Sequence, residues 1–161
     1  MNINLVNEIN NFGSPFLIRL VEKDNSLYIY ICGSYARKTS FEDAKALGDY
    51  LNNETITKII SESKSIIPDN SVVYCIYFES YVGYNVSWET YILGDDEEEF
   101  EYGKCFRIYS KSKYLDYMTS NTFAEQVLGK LTHYGVYCEW QIIDVISDEE
   151  PIITKFKKGK S

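Results

Sequence analysis

The 161-residue chain carries a formal net charge of −8, and 45% of its residues are hydrophobic and 16% aromatic. This composition excludes a disordered chain and suffices for a packed core, and the length fits one domain over residues 1–161. The negative charge argues against a nucleic-acid ligand, because affinity for phosphates comes from clustered lysine and arginine side chains.

The apolar runs are too short to cross a bilayer, and residues 1–5 lack the basic start and apolar stretch of a signal peptide. We therefore predict a cytoplasmic protein with no membrane partner. The chain is rich in Lys, Ile and Asn and poor in Arg, which is typical of AT-rich codons. This bias favours a low-GC bacterium as the source.

The N-terminal third is predicted to contain helices and a hairpin. Apolar spacing predicts a short helix over residues 3–12, and alternating runs at 16–22 and 27–32 predict a β-hairpin across a turn-rich tetrapeptide. Two amphipathic helices are expected next, one after Ser40, which has capping-box spacing to Asp43, and one after Asn53.

Gly33, Ser34, Ala36 and Arg37 follow the second strand in a pattern that resembles the G-S-x-A-R segment of minimal nucleotidyltransferases. The resemblance implies a Gly-Ser pair on nucleotide phosphates and an Asp-x-Asp pair on the next strand for catalytic metals. Downstream carboxylates here lie on a predicted helix, not in that strand pattern. We therefore interpret the segment as a strand-to-helix loop in which Gly33 makes the turn.

The rest of the chain is predicted to be mainly strands. Runs at 72–79 and 86–93 indicate an antiparallel pair with Trp88 pointing inward, and 104–109 a third strand of the same meander. A capping box predicts a helix over 122–131 with Phe123, Val127, Leu128 and Leu131 pointing inward. It is followed by a long strand at 136–146 and a short one at 152–156, with a basic tail over 155–161. The predicted fold is α+β, a mainly antiparallel twisted sheet of about six to seven strands with about three to four helices packed on it.

Few residues suggest chemistry. The four cysteines lie in strand-like runs without a C-x-x-C pair, so we expect buried thiols and neither a metal site nor a cofactor. His133 is the only histidine, and its expected place at a helix C-terminus explains it without catalysis. We predict no catalytic residues.

Asp144 interrupts an apolar strand on the face, shared with Trp140, that is predicted to point inward. A carboxylate there must be paired or hydrogen-bonded, because burying it alone is costly. Arg107 and Arg19 are the candidate partners. Asp144 is thus a structural residue or a buried functional carboxylate.

The most informative feature is the acidic segment, residues 95–101, in which six of seven residues are acidic: Asp95, Asp96, Glu97, Glu98, Glu99 and Glu101. It is expected at the exposed tip between two strands of the meander. Three interpretations are open: a solvated tip that prevents wrong strand pairing, a recognition element for a basic partner, and a weak cation site without the spacing of an EF-hand loop.

Aromatic residues surround this segment, and Tyr91 and Tyr102 flank it. Tyrosine and tryptophan often anchor interfaces. We therefore predict a non-enzymatic binding or inhibitor protein that contacts a basic partner, such as a nuclease-type toxin, in the manner of bacterial immunity proteins. The alternatives are a small enzyme that uses carboxylates and tyrosines in an unidentified pocket, or a housekeeping role.

Overall fold

The structure, a computed structural model, describes residues 1–50, 54–92 and 97–157. Within these ranges the chain forms five α-helices, namely α1 (Ile3–Asn10), α2 (Phe41–Tyr50), α3 (Glu54–Glu62), α4 (Lys113–Asn121) and α5 (Ala124–Leu128). The same ranges contain nine strands, namely β1 (Phe16–Lys23), β2 (Ser26–Lys38), β3 (Lys64–Phe78), β4 (Gly83–Trp88), β5 (Glu99–Tyr102), β6 (Phe106–Lys111), β7 (Thr132–Tyr137), β8 (Gln141–Ser147) and β9 (Ile152–Lys157). The predicted α+β class is confirmed. None of the described helices is long and apolar enough to cross a membrane.

The strands form two antiparallel sheets instead of the single sheet that was predicted. One sheet has the order β1-β2-β3-β9 and the other β4-β8-β7-β6-β5. The chain changes sheets after β3, where Val82 N–H donates to the Ile146 carbonyl at 2.8 Å and Ser147 Oγ donates to the Ser80 carbonyl at 3.0 Å. These bonds direct the segment after β3 to the end of β8, so the predicted β3–β4 hairpin is wrong.

The chain divides into two compact units, residues 1–33 with 70–161 and residues 34–69. The predicted single domain stays a prediction. In the first unit, the two sheets share one core with Val6 and Ile9 of α1. Phe78 and Tyr134 bring the sheets together with ring centroids 5.5 Å apart. Apolar burial of this kind is the main stabilising contribution to the unit.

Helix α1 ends two residues earlier than the predicted end at 12 and is fixed by polar contacts at both ends. Asn2 caps its start by accepting from the N–H groups of Asn4 and Leu5. At its end, Asn10 Oδ1 accepts three backbone hydrogen bonds of 2.8 Å each, from Lys104, Cys105 and Phe106. One side chain thereby connects α1 to the turn between β5 and β6.

The predicted hairpin of β1 and β2 is confirmed, with Lys23 opposite Ser26. Asp24 and Asn25 make the turn with φ of 53° and 62°. Positive φ at both central residues is the type I′ geometry that matches strand twist. The geometry of this hairpin is therefore determined by the two residues of its own turn.

In the unit of residues 34–69, β2 continues through residues 34–38, so the interpretation of Gly33–Arg37 as a loop is wrong. Ser40 Oγ accepts from the Asp43 N–H at 3.1 Å and donates to the Asp43 carboxylate at 2.6 Å, which caps α2. The predicted cap of α3, Asn53, lies outside the described residues. Thr39 N–H donates to the Ser63 carbonyl at 3.3 Å.

The C-terminal elements differ most from the prediction. The expected helix over 122–131 is only the short α5, and three side chains expected to point inward are exposed, namely Phe123, Val127 and Leu128. The expected long strand at 136–146 is the hairpin of β7 and β8. The first residues of the predicted basic tail, 155–157, belong to β9, and 158–161 lie outside the described residues.

Candidate functional site

The acidic segment is only partly described. Asp95 and Asp96 lie outside the described residues, Glu97 is exposed, and Glu99 and Glu101 are exposed on β5. The segment is not a hairpin tip, because β4 and β5 are the two opposite edges of the five-stranded sheet. Strands β8, β7 and β6 lie between them and come from residues later in the chain. The local sequence pattern around residue 95 contains no information that these later strands are inserted between β4 and β5.

Beside β4 lies a set of exposed aromatic side chains, which we call the aromatic patch: Trp88, Tyr91 and Trp140. Their exposed fractions are 56%, 84% and 55%. Glu89 N–H donates to the Trp140 carbonyl at 2.9 Å, which joins the end of β4 to the turn between β7 and β8. The expectation that Trp88 and Trp140 point inward is therefore wrong.

The two tyrosines predicted to bind a partner differ in their surroundings. Tyr91 is the most exposed member of the aromatic patch and precedes the acidic segment by a few residues. Tyr102 is half-buried on β5 and donates its hydroxyl hydrogen bond to Asn7 of α1. Tyr91 is thus displayed to solvent, whereas Tyr102 connects an edge strand to a helix.

Asp144 and His133 meet on the face of the second sheet next to α4. Asp144 Oδ1 lies 3.0 Å from His133 Nε2, and Ser112 Oγ lies 2.7 Å from His133 Nδ1. The partner of Asp144 is therefore His133, and the predicted arginine partners are wrong. His133 itself lies in β7 and not at the end of a helix.

The roles in this Ser112–His133–Asp144 network follow from what each atom can do. A carboxylate only accepts, so Nε2 donates to Asp144, and in the neutral imidazole with that tautomer Nδ1 accepts the Ser112 hydroxyl proton. Ser112 Oγ in turn accepts from the Leu115 N–H at 3.1 Å and so caps α4. The Tyr109 ring stacks on the imidazole, with centroids 4.2 Å apart.

The network resembles a catalytic triad in composition but not in access. Ser112 is 1% exposed, and its oxygen is already used as a helix cap. A nucleophile must reach a substrate carbonyl, which a buried and capped hydroxyl does not do. We assign the network the role of holding α4 against β7. Sequence reasoning missed it because the three residues belong to separate elements.

A second feature is a cleft of about 310 Å³, whose lining includes Gly13, Glu89, Lys104, Arg107, Tyr137 and Glu139. We call it the Arg107 cleft. The Arg107 guanidinium carbon lies 3.7 Å from the Tyr137 ring centroid and 4.7 Å from that of Phe100. Two thiols, Cys105 and Cys138, also line it. Burial raises the pKa of Cys138 to about 12, so its reactive thiolate is scarce at neutral pH.

No group of three or more His, Cys, Asp or Glu residues in the described ranges is arranged to hold a metal ion. Comparisons with protein-family models, with curated proteins and with solved structures found no match for this chain.

Proposed function

We propose that the protein is a non-enzymatic binding module that docks on a basic protein through the acidic segment and the aromatic patch. The observation that carries the proposal is the exposure of Trp88 at the end of the edge strand β4, of Tyr91 just after it, and of Trp140 in the β7–β8 turn that is bonded to Glu89. Monomeric proteins rarely leave several large aromatic side chains together in water without a partner. Tryptophan and tyrosine are also the residues that most often dominate binding energy.

Charge supports a basic partner. The chain has a net charge of −8, and four described acidic side chains, at positions 97, 98, 99 and 101, follow Trp88 and Tyr91 in sequence. Complementary charge of this kind raises association rates, by up to about 1,000-fold at low salt, and suppresses wrong partners. Aromatic contacts act mainly on dissociation, because most affinity within an interface lies in the off-rate.

The partner class that fits these features is a cytoplasmic basic enzyme, such as a nuclease-type toxin. The protein would then act as an immunity-like inhibitor in a low-GC bacterium. A nuclease needs a positive surface to hold phosphates. An acidic protein with protruding aromatic side chains can cover that surface in place of the nucleic acid.

The test begins with capture of a partner from the native cell at low salt and continues with association kinetics of the purified pair. A variant with Asp95→Asn, Asp96→Asn, Glu97→Gln, Glu98→Gln and Glu99→Gln should associate at least about ten-fold more slowly at low salt. Tyr91→Ala should instead accelerate dissociation, with a loss of about 2 kcal/mol of binding free energy.

The matched control neutralises the same number of exposed carboxylates elsewhere, with Asp24→Asn, Glu42→Gln, Asp49→Asn, Glu54→Gln and Glu62→Gln. Both variants change the net charge equally, so a general charge effect slows them equally. Equal slowing, or no slowing of either variant at low ionic strength, would contradict the proposal and leave the acidic segment as a solubilising feature.

A further inference from the structure

The Arg107 cleft combines charges of both signs. Lys104 lies in the turn between β5 and β6, and Arg107 lies in β6 itself. The acidic residues are Glu89, which follows β4, and Glu139, which lies in the turn between β7 and β8. Across the described part of the chain, none of the four forms an ion pair with another. Two cationic and two anionic side chains can therefore interact with a ligand inside the cleft.

Arg107 is fixed before any ligand arrives. Its Nε donates to the Lys104 carbonyl at 3.2 Å, and its guanidinium stacks on the Tyr137 ring. The Tyr137 hydroxyl is hydrogen-bonded to that of Tyr109, which is buried, so the ring below the guanidinium is also held. Nε is engaged in this way, and the terminal N–H groups are the ones that bind a carboxylate in the two-pronged geometry of arginine.

The turn that carries Lys104 is equally well held. Asn10 accepts the backbone N–H groups of Lys104, Cys105 and Phe106 and so fixes the backbone that carries Lys104 to α1. A prearranged site loses less conformational entropy on binding than a flexible one. The volume of about 310 Å³ is at the lower end for small-molecule pockets and suits a ligand of few atoms.

We propose that the Arg107 cleft binds a free α-amino acid. The α-carboxylate would lie against Arg107 and Lys104, and the α-ammonium against Glu89 and Glu139. A zwitterion offers a counter-charge to the cationic pair and to the anionic pair, whereas a simple anion or a simple amine leaves one pair without a counter-charge in the cleft. Among the described residues, none of positions 97–101 and no member of the aromatic patch lines the cleft, so this proposal does not rest on the proposed function.

The test uses the full chain and NMR titration with each standard amino acid up to about 10 mM, above the range of weak millimolar binding. At least one should shift the backbone amide signals of residues 104–107 and 137–139 in a saturable manner. The deaminated and decarboxylated analogues of that amino acid are then titrated, and each should bind at least about ten-fold more weakly. If no amino acid causes saturable shifts there, or if the deaminated analogue binds equally well, the proposal is wrong.

Two variants assign the contacts. Arg107→Met should weaken binding at least about ten-fold, while Lys111→Met, an exposed cation on the same strand outside the cleft, should not change it. Glu139→Gln tests the anionic pair. Because Glu139 lies in a turn, this variant can still be measured if Arg107→Met does not fold. It should weaken binding of the amino acid and leave binding of its deaminated analogue unchanged. Equal affinity of wild type and Glu139→Gln for the amino acid would overturn the assignment.

Discussion

His133 illustrates how one polar residue is accommodated in the interior. Both ring nitrogens have a partner, Asp144 on one side and Ser112 on the other, and the ring stacks on Tyr109. Buried polar groups with complete hydrogen bonding fix one arrangement, whereas a missing partner costs the full desolvation of the group left alone. The network is therefore sensitive to removal of any member.

At this scale we expect Ser112→Ala to destabilise the protein by about 1.5–5 kcal/mol. The change removes the cap of α4, worth about 0.5–2 kcal/mol, and also leaves His133 Nδ1 buried without a donor, at about 1–3 kcal/mol. Urea unfolding monitored by circular dichroism measures the loss. Ser40→Ala is the matched control, because the Ser40 hydroxyl caps α2 by bonding Asp43, which is exposed. If both variants lose equal stability, the contact with His133 contributes nothing.

Elements whose determinants are local were predictable from sequence. The β1–β2 hairpin is correct because Asp24 and Asn25 favour the positive φ that the turn needs. The position of strand β4 was predicted approximately, but its pairing partner was not. Strand β4 pairs with β8, where Asn85 lies opposite Asp144, and β8 is distant from β4 in sequence. Periodicity reports which face of an element is apolar and contains no information on a distant partner.

Another element-scale feature is the attachment of α1 to the β5–β6 turn through Asn10. Its Oδ1 accepts from three consecutive backbone N–H groups, and its Nδ2 is buried without a partner among the described residues. The oxygen is thus the functional half of the side chain. The amide nitrogen adds a desolvation cost without a compensating hydrogen bond.

We expect Asn10→Ala to cost about 2–4 kcal/mol in the free energy of unfolding, since buried N–H groups lose their acceptor. Asn10→Asp should recover most of that loss at neutral pH. A carboxylate accepts the same N–H groups in stronger, charge-assisted bonds and replaces the unsatisfied nitrogen with an oxygen. Chemical denaturation of the three proteins checks the order of stability. A Asn10→Asp variant as unstable as Asn10→Ala would show that the three hydrogen bonds do not stabilise the turn.

At the scale of the whole molecule, the candidate site was predicted in part. Tyr91 was found as an exposed aromatic residue because it adjoins a run of charges. Trp88 and Trp140 were assigned to the interior because apolar alternation does not distinguish a core face from an exposed patch. The Arg107 cleft was missed altogether, since its charged residues come from three separate turns or strand ends that only the fold brings together.

The division into two units leads to the last prediction. Among the described residues, the buried core that joins the two sheets with α1 contains none from the unit of residues 34–69. The chain enters that unit along β2 and returns along β3. These two strands are neighbours in one antiparallel sheet, so a short turn can replace the unit.

We expect a variant with residues 34–69 replaced by Asn-Gly to unfold cooperatively and to keep the near-ultraviolet circular dichroism of buried aromatic rings. Replacement of 124–128, the residues of the five-residue α5, by a glycine-rich loop of equal length is the control for shortening a surface element without touching that core. A variant without residues 34–69 that lacks a cooperative transition, beside a control that retains it, would show that the first unit depends on the second to fold.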